Sequence, residues 1–296
     1  MSARSSTPRC STLPEASTRT GMASTYSIGT RRRTSASSSS FIQPDSGSGV
    51  RTVMTPLWTM YVSRVSTAST GIDPTTLLWR GGDAADAGTS AVPIVVGLHG
   101  YGADGTDIFD LTRHMPGAFR YVSVPAPHVQ PEGGREWFPL RFADPATGEV
   151  AVDADALVGV ENGANEAADA VLALLDGLGV FSSGAPVALL GYSQGGIVAM
   201  QALRHRPSAF AGALLLSGLV AVGTVAGDAE LAQTRPPVFW GRGDTDTVIP
   251  ALAVEHTAAW LEAHVNAEIY VEAGLAHAVS ETELQLMAAF LERVLA

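Results

Sequence analysis

Short apolar runs alternate with longer amphipathic stretches over most of the chain. The apolar runs carry few polar residues, which is typical of strands buried on both faces of a parallel sheet. They predict strands at 92–98, 120–125, 187–192, 212–217, 237–241 and 268–272. The segments 57–65 and 76–80 are candidates for additional antiparallel strands at the start of the sheet.

The stretches between the strands have apolar positions at helical spacing. In one of them Val160, Ala164 and Val171 lie on a single stripe. This periodicity predicts helices at 104–114, 160–176, 195–205, 251–265 and 281–295. Strand and helix in alternation predict one α/β domain over 54–296, with a doubly wound, mostly parallel sheet flanked by helices.

Two long stretches without charged residues, 177–203 and 207–227, are each long enough to cross a bilayer. Both contain Gly and Ser, and each breaks into a short apolar run followed by a turn. This pattern favours buried strands, so we predict no transmembrane segment.

Residues 1–53 differ in composition from the rest of the chain. They hold fourteen Ser and seven Arg but only two acidic residues, Glu15 and Asp45. A segment with so little apolar surface cannot offset its chain entropy, which predicts a disordered extension. Its composition resembles a transit peptide and lacks the apolar region of a secretory signal. A start of translation at Met54 or Met60 is the simpler alternative.

Charge and composition exclude several classes of function. The chain of 296 residues has a net charge of −11, which disfavours a nucleic-acid partner because phosphate binding needs basic residues. It contains no lysine, which excludes a Schiff-base lysine and a Ser–Lys dyad. The single Cys10 cannot form an internal disulfide, and no Cys/His cluster has zinc spacing, so we expect no metal.

The strongest chemical signal is G-Y-S-Q-G-G at 191–196, which follows a predicted strand and precedes a predicted helix. This is the context in which a G-x-S-x-G elbow presents the nucleophile of an α/β-hydrolase. Gly191 and Gly195 leave room for the sharp turn, and the helix N-terminus favours a developing oxyanion. The pattern predicts Ser193 as the nucleophile; the alternative is a chance match in a chain with 31 glycines.

The oxyanion in this fold is held by two backbone N–H groups. One belongs to the residue after the serine, here Gln194, and the other to the loop after an early strand. The sequence H-G-Y-G at 99–102 lies where that loop is expected. We therefore assign the second donor to Tyr101, and we interpret His99 as a structural residue that holds the loop.

The triad of this fold runs in the order Ser, then Asp or Glu, then His. His277 follows a predicted strand and lies on a loop at the carboxyl edge of the sheet, so it is the candidate general base. The other histidines after the serine lie on or at the end of predicted helices: His205, His256 and His264. For the acid, the loop after 237–241 offers Asp244 and Asp246, and spacing does not separate them.

Four motifs together resemble the carboxylesterase/phospholipase family, which includes the acyl-protein thioesterases. They are H-G-Y-G at 99–102, G-Y-S-Q-G-G at 191–196, G-D-T-D-T-V-I-P at 243–250 and G-L-A-H at 274–277. The resemblance selects Asp246 over Asp244, because the family's aspartate lies two residues before a V-V-P-like sequence. It also agrees with Tyr101 and Gln194 as oxyanion donors.

The resemblance implies a small cytosolic esterase without a cofactor, which acts on carboxyl esters, lysophospholipids or acyl thioesters. Ser193, Asp246 and His277 would then form and hydrolyse an acyl-enzyme intermediate. We expect a monomer or homodimer with a small-molecule or lipid ester as substrate. A peptidase, a polyester depolymerase, a C–C hydrolase and a non-catalytic binding protein remain as alternatives, because one fold serves many functions.

Two positions depart from the family pattern. Arg242 occupies a position where the family commonly has histidine, and Tyr101 one where it frequently has leucine. The larger tyrosine would narrow the acyl pocket. The segment 126–142 resembles the family's loop with a G-G-x-x-W-F-like element. This resemblance predicts that the pocket wall or lip includes Trp137, Phe138 and Leu140. The alternative is that these side chains only pack the loop onto the domain. No large cap domain is visible in the sequence, so we expect an open cleft.

Overall fold

The computed structural model describes residues 71–296, together with the backbone of a two-residue strand, Thr25–Tyr26. That strand pairs antiparallel with Val279–Ser280. Apart from it, the predicted disordered extension 1–53 lies outside the described residues. The candidate strand 57–65 lies outside them as well.

Seven strands form the central sheet. In chain order they are β1 Leu78–Arg80, β2 Ile94–Leu98, β3 Arg120–Val124, β4 Val187–Tyr192, β5 Gly212–Leu216, β6 Pro237–Gly243 and β7 Asn266–Glu272. Their order across the sheet is β7-β6-β5-β4-β2-β3-β1. Strand β1 is antiparallel to β3, and all other neighbours are parallel. The predicted mostly parallel sheet is therefore confirmed, as is an antiparallel strand within the segment 76–80.

Helices cover both faces of this sheet. They are α1 Thr106–Leu111, α2 Ala154–Gly177, α3 Gln194–His205, α4 Asp228–Thr234, α5 Ala251–His264 and α6 Glu281–Leu295. Helices α2, α3, α4 and α5 contribute to one cluster of buried apolar residues, and α1 and α6 contribute to a second cluster on the opposite face. Every residue of β2, β3, β4 and β5 is buried between these layers. This two-sided burial explains why those strands read as continuous apolar runs.

Two features of the helices differ from the sequence prediction. Helix α2 begins six residues before the predicted 160, because the Asp153 side chain caps it by accepting the N–H of Ala156 at 3.2 Å. Helix α4 was not predicted, because it is short and carries few apolar residues. It is anchored by Asp228, which forms a buried ion pair with Arg204 of α3 at 2.8 Å.

Residues 125–153 connect β3 to α2 and contain two short hairpins instead of a separate cap domain. The first pairs His128–Val129 with Arg135–Glu136, and the second pairs Phe142–Asp144 with Glu149–Val150. Both hairpins follow the carboxyl end of β3 and therefore lie at the edge of the sheet where ligands bind in this class of fold. Within residues 71–296 the structure contains no helix that is both long enough and apolar enough to cross a bilayer.

Candidate active site

Ser193 lies at the sharp turn between β4 and α3. Its backbone has a φ of 51° and a ψ of −118°, a conformation that residues other than glycine rarely adopt. The Ser193 N–H donates to the carbonyl of Leu216 at the end of β5 (2.8 Å). A Cβ atom at Gly191 would overlap the backbone of Gly195, and one at Gly195 would overlap the carbonyl of Leu98. The turn is therefore compatible only with glycine on both sides of the serine.

A chain of hydrogen bonds joins three residues that lie far apart in the sequence. The Ser193 Oγ lies 2.9 Å from Nε2 of His277, and Nδ1 of His277 lies 2.7 Å from Oδ2 of Asp246. When Nδ1 carries its proton toward the carboxylate, Nε2 is free to accept the serine hydroxyl proton. The Asp246 side chain is 7% exposed and the His277 side chain 18%, so the imidazole is partly open to solvent while the carboxylate is shielded.

Asp244 and Asp246 lie on the loop that follows β6, here called the β6 loop, and have different hydrogen-bond partners. Besides His277, Asp246 accepts the backbone N–H groups of Val248 (2.8 Å) and Ile249 (3.2 Å) through Oδ1, which fixes its carboxylate. Asp244 instead accepts the N–H of Gly274 at 2.6 Å and so ties the β6 loop to the loop that carries His277. The structure therefore brings Asp246, and not Asp244, to the histidine.

Tyr192 contributes to the site in a way that the sequence analysis missed. Its hydroxyl donates to the backbone carbonyl of His277 (2.9 Å), and the two rings lie 5.3 Å apart. Burial raises the pKa of Tyr192 well above its usual range, so the hydroxyl keeps its proton for this bond. The G-x-S-x-G motif allows any residue at the position of Tyr192, and no sequence signal links that position to the loop that carries His277.

The two predicted oxyanion donors come from different elements. Gln194 is the first residue of α3, and Tyr101 lies on the loop after β2. That loop is fixed by the first hairpin, because the Gly102 N–H donates to the carbonyl of Arg135 (2.8 Å) and the Arg135 N–H donates to the carbonyl of Ala103 (2.7 Å). The loop thus has a defined backbone conformation beside the serine.

His99 has the features of a structural residue. It is fully buried, and its Nε2 accepts the N–H of Ala126 at 2.9 Å. Its Nδ1 therefore carries the ring proton and donates to the carbonyl of Gly100 at 2.7 Å. Burial lowers the pKa of His99 to about 4, so the ring is neutral near pH 7.

Trp137 and Phe138, predicted as pocket wall, are almost fully buried. They are 2% and 3% exposed and belong to the core cluster that includes α2 and α3. This burial favours the alternative in which they pack the loop onto the domain. Leu140 is partly buried against the same cluster, and its role as a pocket residue stays a prediction.

The remaining histidines after Ser193 lie on helices, as predicted. His205 ends α3 and its Nδ1 lies 2.8 Å from Asp169 of α2, while His264 ends α5 and stacks on Trp260. His256 lies within α5. Over residues 71–296, no three His, Cys, Asp or Glu side chains are grouped so that they could hold a metal ion.

Sequence comparisons relate this chain to one protein family. A family model described as phospholipase/carboxylesterase matches residues 85–295. The chain is 27% identical over 217 residues to acyl-protein thioesterase 1 of Saccharomyces cerevisiae, which covers 68% of this chain and 92% of the yeast protein. The family match accounts for most of the residues that the structure describes.

Solved structures with the same fold include several esterases. The crystal structure of esterase PE8 is 26% identical, with a TM-score of 0.57, and covers 76% of this chain and 99% of its own. SOBER1 of Arabidopsis thaliana is 23% identical, with a TM-score of 0.54, and covers 69% of this chain and 99% of its own. At that identity SOBER1 shows the fold alone. The predicted α/β-hydrolase fold is confirmed.

Proposed function

The chain belongs to the phospholipase/carboxylesterase family, and we propose that it is a serine carboxylesterase whose nucleophile, base and acid are Ser193, His277 and Asp246. The observation that carries the proposal is the continuous chain of hydrogen bonds from the Ser193 Oγ through His277 to Asp246. A core-packing role does not require a serine in a strained backbone conformation next to a partly exposed histidine.

In the proposed reaction, His277 removes the Ser193 proton while the serine oxygen attacks the acyl carbon. Asp246 stabilises the imidazolium that forms without taking its proton. The backbone N–H groups of Tyr101 and Gln194 hold the oxyanion, and His277 then protonates the leaving alcohol or thiol. Water, activated by the same histidine, releases the carboxylic acid from the acyl-enzyme.

Carboxyl esters are the proposed substrates, and acyl thioesters are the second candidate. The similarity to the yeast acyl-protein thioesterase supports the thioester. Hydrolysis of either substrate passes through the same kind of tetrahedral intermediate, so the site needs no further catalytic group for either. The predicted cytoplasmic location rests on the family resemblance.

Tyr101 supports a preference for short acyl chains. Its ring packs edge-on against Phe142 of the second hairpin, with ring centroids 5.4 Å apart, so its bulk is held beside the proposed oxyanion donor. A leucine at this position, as the family often has, would leave more room.

The test is hydrolysis of p-nitrophenyl esters from acetate to palmitate and of the matching thioesters, with wild type beside Ser193→Ala. The proposal requires turnover that is lost in Ser193→Ala and is highest for short chains. Equal rates in the two proteins, or none in either, would refute the serine esterase.

A further inference from the structure

Trp137 contacts both segments that carry the proposed oxyanion donors. Its indole Nε1–H donates to the carbonyl of His99 at 2.9 Å, two residues before Tyr101. Its backbone N–H donates to the side-chain Oε1 of Gln194 at 3.0 Å. One residue on a third segment, the connection between β3 and α2, therefore bridges the β2 loop and the start of α3.

The Gln194 side chain completes this bridge. Its Nε2–H donates to the carbonyl of Phe138 at 2.7 Å, so both ends of the amide are bonded to the backbone of residues 137–138. Gln194 is 1% exposed and Trp137 is 2% exposed, which shields these hydrogen bonds from water. The amide is thus committed to the loop, while the backbone N–H of the same residue is the proposed donor.

Strands β2 and β4 pair as far as Leu98 and Gly191, so the backbone from His99 to Tyr101 lies beyond the ladder and needs other contacts to hold it. An oxyanion hole works by preorganisation: its donors must already occupy their transition-state positions when charge develops. Among the described residues, Trp137 is hydrogen-bonded to both donor segments and so links them beyond the end of the ladder. The rings of Trp137 and His99, 5.6 Å apart, add packing to the same junction.

We propose that Trp137 is a positioning residue that holds the Tyr101 and Gln194 N–H groups at their working separation. The inference rests on the proposed function, and it differs from a pocket-wall role. A wall residue acts on acyl-chain binding, whereas a residue that positions the donors acts on the transition state. Without the indole donor, the buried carbonyl of His99 lacks a partner, and the loop that carries Tyr101 shifts to satisfy it.

Trp137→Phe is the direct test, because it removes the indole N–H and keeps an aromatic ring. The matched control is Trp240→Phe, since Trp240 is also 2% exposed but its Nε1 has no hydrogen-bond partner among the described residues. We expect Trp137→Phe to lower kcat by about 10–100-fold with KM nearly unchanged, as for a displaced donor. Trp240→Phe should keep the wild-type kcat.

Three readouts separate positioning from a general structural defect. Rates are normalised to the fraction of protein that a fluorophosphonate labels. The pH profile of kcat/KM should keep its wild-type shape, because Ser193, His277 and Asp246 do not move. The inhibition constant of an alkyl boronic acid, whose tetrahedral adduct occupies the oxyanion hole, should rise by the same factor by which kcat/KM falls.

Gln194→Met provides a second variant if Trp137→Phe does not fold. It removes the amide clamp and keeps the backbone N–H, and the same loss of kcat is expected. If wild type is active and the folded variant keeps the wild-type kcat, or changes only in KM, the positioning role is overturned and the proposed function stands. A wild type with no esterase activity would overturn the proposed function and this inference with it.

Discussion

At the scale of single residues, the two aspartates of the β6 loop show that the candidate role of a residue depends on its hydrogen-bond partners. Both follow the same strand, and both accept backbone N–H groups. Only Asp246 also reaches His277, while Asp244 links its loop to Gly274. The sequence pattern left the two equivalent, and the family resemblance separated them.

Asp246→Asn should lower kcat by about 10³–10⁴-fold. The asparagine keeps an acceptor for the backbone but presents an amide to His277, which favours the wrong tautomer of the ring. The measurement is steady-state hydrolysis of a short p-nitrophenyl ester. Asp244→Asn is the control, since its Oδ1 can still accept the Gly274 N–H and its rate should stay close to wild type. Equal losses in the two variants would contradict the assignment.

Candidate site residues were predictable where a local motif carries them. Ser193 stood in a strand–turn–helix motif, and His277 stood on a loop at the carboxyl edge of the sheet. Tyr192 and Trp137 reach the site through hydrogen bonds across 85 and 38 residues of sequence. No periodicity or spacing in one sequence encodes such contacts.

At the scale of elements, the elbow between β4 and α3 is set by backbone packing. Gly195 lies against the carbonyl of Leu98, at the end of β2, and Gly191 lies against Gly195 itself. The absence of side chains at these positions brings the start of α3 onto the end of β2. That approach places Gln194 beside the loop that carries Tyr101.

Gly195→Ala should lower the free energy of unfolding by about 1–3 kcal/mol, as overpacking does, and should also reduce esterase turnover. The new Cβ would push the end of β2 away from α3. Gly159→Ala is the control, because this exposed glycine inside α2 has no neighbour within 4 Å of an added Cβ. It should gain about 0.5–1 kcal/mol of helix stability. Urea unfolding measures both, and a neutral Gly195→Ala would contradict the packing account.

The sequence predicted every buried strand of the sheet and the five longer or more apolar helices. Apolar runs and helical stripes are local signals, so they are visible without tertiary information. Helix α4 and the two hairpins carry no such signal. They are stabilised by tertiary contacts, such as the Arg204–Asp228 ion pair and the pairing of Gly102 with Arg135.

At the scale of the whole molecule, Glu283 lies buried where α6 packs against the sheet. It is fully buried, and neither carboxyl oxygen has a hydrogen-bond partner among the described residues. Burial raises its pKa to about 8, from an ordinary value of 4.5. Glu283 is therefore protonated in the folded protein at pH values where the unfolded chain has released that proton.

The free energy of unfolding should therefore decrease as the pH rises from about 4.5 to about 8, by at most about 1.4 kcal/mol per pH unit. The lowered pKa of buried His99 makes the free energy of unfolding rise with pH between about 4 and the ordinary pKa of 6.5. The pKa of Asp107 is raised to about 6, so this group makes the free energy of unfolding fall with pH up to that value. Above about pH 7 both groups are mostly deprotonated in the folded and in the unfolded chain, so the range from about 7 to 8 reports chiefly on Glu283.

Glu283→Gln should remove most of this slope, because glutamine stays neutral at every pH. Urea unfolding at several pH values between about 7 and 8 gives the slope directly. Glu292→Gln is the control, since Glu292 is exposed on the same helix and should leave the slope unchanged. An identical slope in wild type and Glu283→Gln would show that another group releases the proton.

We propose that this fold presents Ser193 as an activated nucleophile. The most direct measurement is labelling with a fluorophosphonate, followed by mass spectrometry of the peptides, in wild type, Asp246→Asn and Ser193→Ala. We expect one label per chain on Ser193, slower labelling in Asp246→Asn, and none in Ser193→Ala. A label on another residue, or an unlabelled wild type that still hydrolyses esters, would contradict it.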